Sequence, residues 1–235
     1  MAEEIRRMRQ KYDTTVNWAS SNPTLAVSEF GVEEPVSGQL KLKIGDGVTA
    51  WNGLPYFGDV TSSVVEHIFT GSEDSYTFDV SSFSSAVSRL RIDGLLRSQA
   101  AAIEDTILIR LNADAGSNYD CSYYEVTATI GVFGSGLDGA ATSSIRGPSI
   151  AAASGQASSA SPFTIDIPYY KDTNFFKGLT GQAGNTKAVS PTDSQVKVST
   201  FWGQRRNTEA ITSVTFFTSS SSNLAAGSKI KVTGA

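Results

Sequence analysis

Hydrophobic and polar residues along this chain alternate more than they coil. In Leu40-Lys41-Leu42-Lys43-Ile44 the apolar side chains fall at every second position, the period of a half-buried strand. The pattern returns in Leu90 and Ile92 against Arg89 and Arg91. It returns again in Ile107, Ile109 and Leu111 against Leu108 and Arg110, and in Val196 and Val198 against Gln195 and Lys197. Strands are predicted at 64–70, 76–80, 87–93, 106–112, 123–133, 163–167, 195–202, 211–218 and 229–232. No long stretch keeps a helical period. This predicts an all-β chain, with residues 59–235 forming an antiparallel β-sandwich, jelly-roll-like in outline.

The first 58 residues differ in texture. Asp13-Thr14-Thr15 can cap a short helix through 16–19, and Pro23 ends it. A strand is predicted at 25–31, a turn at 35–38, then the 40–44 strand and a tight turn at Gly45-Asp46-Gly47. Trp51, Leu54, Tyr56 and Phe57 close the segment as an aromatic cluster. A unit this small has little core of its own, so it is expected to need a partner surface. Residues 134–162 (GSGLDGAATSSIRGPSIAAASGQASSASP) are rich in small residues and aperiodic, and are predicted to be a long surface loop.

Composition narrows the function classes. Of 235 residues 18% are charged, against a usual ~25%, while 33 Ser and 22 Thr supply the polarity. Net charge is −4, with 6 bases and 7 acids in residues 1–58. Neither part is basic, so nucleic acid is not an expected partner. No apolar run approaches the ~20 residues of a membrane span, and the first residues lack a signal core, so membrane insertion and export are not expected. One cysteine, Cys121, and one histidine, His67, leave no disulfide framework and no multi-residue Cys/His metal centre.

At 41–58 the sequence KLKIGDGVTAWNGLPYFG resembles the short module that opens many phage tail-fibre, head-fibre and decoration proteins, related to the N-terminal domain of the phage major tropism determinant. Arg6-Arg7-Met8-Arg9, Thr14 to Trp18, Asn22-Pro23-Thr24-Leu25 and Glu29-Phe30-Gly31 follow the same pattern in order; Ala26-Val27-Ser28 replaces the usual Glu-Gly. The resemblance covers about a quarter of the chain. It implies a homotrimer whose module, residues 1–58, sits at the virion end of a projecting protein. Residues 106–126 and the closing ITSVTFFTSSSSNLAAGSKIKVTGA are similar to β-sandwich modules of phage virion proteins, with Thr233 where tyrosine is usual. The function so implied is a virion structural protein assembled in the host bacterial cytoplasm, either capsid decoration or head fibre. A tail-fibre or spike receptor-binding protein is the alternative, and a polysaccharide-degrading spike a third. The partners so implied are its own copies, other virion proteins, and a host surface glycan or protein. Trp18, Leu42, Ile44, Trp51, Leu54, Tyr56 and Phe57 are the expected oligomer or attachment interface.

Candidate chemistry is sparse. Gly134 to Gly139 satisfies G-x-G-x-x-G but opens no helix, and GLTGQAGNTK at 178–187 lacks the Gly-Lys-Thr order of a phosphate loop, so both are expected to be loops without a cofactor. Asn112, Asp114, Asn118 and Asp120 alternate like calcium ligands, yet the spacing is not that of an EF-hand, and no metal is expected. Asp105, Asp114 and Asp120 keep a paired-carboxylate glycosidase open. His67 is expected to be structural, Cys121 a small buried hydrophobe, and no catalytic triad assembles. The expectation is therefore a non-enzyme. Tyr169, Tyr170, Phe175 and Phe176, with Trp202 further on, remain as aromatic residues on or beside loops, a candidate receptor or partner contact.

Overall fold

The computed structural model describes residues 10–35, 40–57, 63–84, 87–127, 132–186 and 196–235, with backbone alone at 10, 132–140 and 186. The chain divides into two compact units, Met1–Thr61 and Ser62–Ala235.

In the first unit β1 (Gln10–Thr14) runs into α1 (Thr15–Ser21), followed by β2 (Phe30–Glu34), β3 (Lys41–Ile44) and a 3-10 turn at Trp51–Gly53. The helix is seven residues long. The Thr14 side chain caps it by accepting from the Asn17 N–H, and Asn22 ends it in the left-handed region. The sheet order is β1-β2-β3, β1 parallel and β3 antiparallel to β2. The strand expected at 25–31 begins only at Phe30. Before it, Ser28 takes φ 64°, the Ser28 N–H donates to the Gly45 carbonyl, and the Gly47 N–H donates to the Leu25 carbonyl. Residues 25–29 thus form a turn clamped to the 45–47 turn, which spends their backbone groups outside the sheet. The basic residues 6–9 and the turn expected at 35–38, apart from Pro35, lie outside the described residues.

The second unit is an antiparallel sandwich, not a closed barrel. Its strands in chain order are β4 (Val64–Ile68), β5 (Ser75–Asp79), β6 (Arg89–Leu96), β7 (Glu104–Leu111), β8 (Tyr119–Thr127) and β9 (Val132–Thr142). They continue as β10 (Ile145–Ala151), β11 (Ser161–Pro168), β12 (Lys177–Thr186), β13 (Val196–Arg205), β14 (Ser213–Thr218) and β15 (Lys229–Gly234). Among the described residues an eight-stranded sheet, β4-β15-β6-β11-β12-β13-β8-β9, faces a four-stranded one, β10-β7-β14-β5. Leu90 and Ile92 from β6, Phe163, Ile165 and Ile167 from β11, and Phe201 from β13 meet Ile107, Ile109, Val214 and Phe216 in one buried cluster. Alternation along β7, β11 and β13 supplies these side chains.

Two predicted loops are strands. The stretch 134–162 contains most of β9, all of β10 and the start of β11, with a bend at 143–144 and turns around 152–160 between them. β10 escapes a period-two reading because it is buried nearly throughout, from Gly147 to Ala151. Small residues fit where two sheets close on one strand. GLTGQAGNTK lies on β12 up to Thr186. There the Phe201 ring packs over Gly181, where an added Cβ would stand 2.2 Å from Cζ. The glycine makes room for a neighbour's ring and marks no turn.

Candidate functional site

The first unit is built around two stacked indoles. Trp18 on α1 and Trp51 lie 4.0 Å apart at 14°. The Trp18 N–H donates to the Val32 carbonyl at 2.8 Å. Gly31 admits this packing: a Cβ there would sit 2.4 Å from the Trp51 ring. With Leu25 and Leu54 the two tryptophans complete a buried cluster of four. Trp18, Trp51 and Leu54, expected at an interface, are thus covered by their own unit, because α1 and the 51–53 turn close over one face of the sheet.

That face of β3 is the lysine face. Lys43 is buried; its ammonium donates to the Trp51 carbonyl at 2.8 Å and lies 4.3 Å from the Tyr56 ring centre and 4.8 Å from that of Trp51. Burial pushes its pKa down, which the nearby Glu33 partly opposes. Glu33 is buried too. Burial raises its pKa, but the Tyr56 and Thr15 hydroxyls that donate to it, with Lys41 and Lys43 nearby, outweigh this and hold it below the usual range. Asp46 accepts from the Thr49 hydroxyl and from the Thr49 and Val48 N–H groups, and is lowered to about 2. The GDG motif is therefore a carboxylate-capped turn.

The opposite sheet face is apolar and half-open. Tyr12, Val32 and Leu42 lie in one cross-strand row and Phe30 and Ile44 in the next. Tyr12 is 56% exposed, and the other four are partly buried. Of the expected interface residues, Leu42 and Ile44 lie on this face. Phe57 is exposed beside Leu42, to whose carbonyl its N–H donates, and Tyr56 is half-buried with its ring against Lys43.

In the sandwich, Tyr169 begins the turn after β11 with φ 48°, and the Asp172 N–H donates to its carbonyl at 3.0 Å. Its ring stands 71% exposed, whereas Tyr170 is fully buried and accepts the Ile211 N–H at its carbonyl. Tyr170 is thus core and no contact residue: the turn at Tyr169 leaves one ring in solvent and carries the next into the interior. Phe175 and Phe176 stand exposed just before β12. The buried Lys177 donates to the Phe175 carbonyl at 2.7 Å and to the Thr208 carbonyl at 3.1 Å, pinning that loop. Burial lowers its pKa, Asp172 opposing and Arg205 assisting. Trp202, opposite Thr180, turns its indole outward on β13. Tyr169, Asp172, Phe175, Phe176, Thr180 and Trp202 help line a groove of ≈ 510 Å³.

No protein-family model matches this chain, and no curated protein does. What the open sheet face and the groove can do therefore rests on their own side chains.

The other sequence candidates are engaged within the protein. Asp105 accepts from the Ser98, Ser219 and Ser220 hydroxyls. The Gly116 N–H, then Arg205 and Asn118 against the cost of burial, hold Asp114 below the usual carboxylate range. Asp120 accepts from Gln204 at 3.0 Å and stands 3.6 Å from Arg206. Among the described residues no three His, Cys, Asp or Glu side chains cluster as metal ligands. His67 stacks on Tyr76 at 3.6 Å and meets Glu73 at 3.1 Å, and Cys121 is buried.

Sequence reasoning missed Lys43 and Glu33 as interior residues. It also missed Lys197, buried on β13 with Glu125 at 2.9 Å, Glu104 at 3.5 Å and the Ser149 hydroxyl at 3.3 Å. For Lys197 a signal existed: it alternates with Val196 and Val198, so one of the two sets had to face inward.

Proposed function

We propose that this protein is a non-enzymatic structural component of a bacteriophage particle. It is a homotrimer, held to the virion and to its own copies through residues 1–58, with the sandwich displayed outward as capsid decoration or a head fibre. The observation that carries this reading is the open apolar face of Tyr12, Phe30, Val32, Leu42 and Ile44 on a unit whose buried hydrophobic cluster has four residues among those described. A core of that size contributes too little to stand alone. Covering the open face with further copies adds the missing burial, and a closed ring repeats the same contact on every copy. The resemblance at 41–58 supports the virion setting. The exposed aromatic groove favours a second reading, a tail-fibre or spike adhesin, since outward aromatic side chains are what a receptor contact uses.

Sedimentation of the full chain tests the trimer. The wild type is expected to sediment as a trimer, and Tyr12→Asp together with Leu42→Asp as a monomer. A wild type that is monomeric at high concentration overturns the interface. Quantitative mass spectrometry of purified particles tests the setting. A copy number near that of the shell protein means decoration, a few trimers per particle mean a tail or vertex fibre, and absence overturns the virion reading.

A further inference from the structure

We infer that the groove beside Tyr169 and Trp202 binds a neutral polysaccharide chain, its sugar rings stacking on the exposed aromatic faces. The inference deepens the outward-display reading and rests on it for its biological setting only.

The turn at Tyr169 supplies the first argument. A bulky residue at φ 48° is held in a region that Asn or Gly occupies more cheaply. What this position adds is therefore the ring, set into the groove by a turn that Asp172 closes from one side. Trp202 is exposed too, though less so. It lies across β12 at Gly178, where even an added Cβ would come no nearer than 3.9 Å to the indole nitrogen. Among the described residues the Trp202 indole N–H and the hydroxyls of Tyr169 and Thr180 make no hydrogen bond to protein, so one N–H and two hydroxyls at the groove are unspent.

Size, spacing and charge then select the occupant. A volume of ≈ 510 Å³ lies in the range of small-ligand sites. Among the described residues none of the four rings pairs with another, so they form no closed cage around an ammonium group; they present separate platforms, as an extended chain of rings requires. The one lysine at the groove spends its charge on the Phe175 and Thr208 carbonyls and lies near Asp172. The lining holds one cation, Lys177, and one anion, Asp172, so its net charge is zero, which suits a neutral ligand. A pyranose has an apolar C–H face for the aromatic side chains and a rim of hydroxyls for the unspent polar groups.

The test is calorimetric titration of the full chain with maltohexaose, cellohexaose, chitohexaose and a rhamnose hexasaccharide, with choline and decaproline as controls. Fluorescence runs alongside, because Trp202 is exposed while Trp18 and Trp51 are buried. At least one hexasaccharide is expected to bind saturably at millimolar concentration or below. Tyr169→Asn, which suits the turn, and Trp202→Ala are each expected to weaken it about fivefold to tenfold at unchanged melting temperature. Overturning results are no binding by any of the four sugars, binding untouched by both variants, or binding of choline or decaproline in their place. Sedimentation of the same sample separates this inference from the assembly reading. A monomer that binds sugar refutes the trimer alone, and a trimer that binds none refutes the groove alone.

Discussion

Replacing Trp51 by alanine removes the larger part of what holds the first unit together. The side chain is 2% exposed, stacked on Trp18 at 4.0 Å and lying beneath the Lys43 ammonium. Deleting a buried Trp costs about 3–5 kcal/mol, a figure that already includes the lost stack and cation–π contact. Among the described residues the unit has four buried hydrophobic side chains, and small cores rarely contribute more than about 3–5 kcal/mol in total. The expected outcome is therefore an unfolded residue 1–61 segment in a chain whose sandwich, with its separate cluster, keeps its own melting transition. Limited trypsin digestion reads this at one bond. Lys43 is 4% exposed and should resist cleavage in the wild type, then be cut in Trp51→Ala as fast as an unstructured site. A Lys43 that stays protected in the variant, with the tryptophan signal of Trp18 still that of a buried indole, would refute the account of this core.

Two further perturbations probe the charged interior. The folded unit keeps Asp46 ionised down to about pH 2, whereas an unfolded aspartate titrates near 3.8. Between these values the unfolded chain binds more protons, so the contribution is full above about pH 4 and lost as pH falls through 2. Acid unfolding followed by circular dichroism should show this slope, and Asp46→Asn should flatten it; an unchanged slope counts against the capped turn. In the sandwich, Lys197→Met leaves Glu125 and Glu104 without their shared cation and is expected to cost about 3–5 kcal/mol by urea unfolding. A loss below about 1 kcal/mol would mean that Arg146 and Ser149 at Glu125, and Asn185 at Glu104, hold the carboxylates without it.

Particular residues mark how far the sequence could be read. Ile107, Ile109 and Leu111 alternate and lie inward, because a strand with one apolar face has only one burial-competent register. Leu42 and Ile44 alternate as cleanly, yet Lys43 between them is the buried residue. Its ammonium finds the Trp51 carbonyl and two aromatic faces, contacts that depend on residues eight and more positions away. Of the candidate groove, Tyr169, Phe175 and Phe176 were legible as loop aromatics. Tyr170 was not separable from its neighbour, and Trp202 joins them only through the pairing of β12 with β13.

By itself the sequence determined the class of the fold, since two-residue periodicity without a helical period leaves no other way to bury these side chains. It also determined the close of the first unit, where Asp46 caps its own turn with groups two and three residues on. Tertiary structure alone decided which face of β3 is interior, that the small-residue stretches β10 and β12 are strands, and that Tyr169 looks out while Tyr170 looks in. The physical reason is common to all three. Alternation defines two faces, but which one is buried, and where a glycine must admit a ring, are settled by strands and helices brought up from far along the chain.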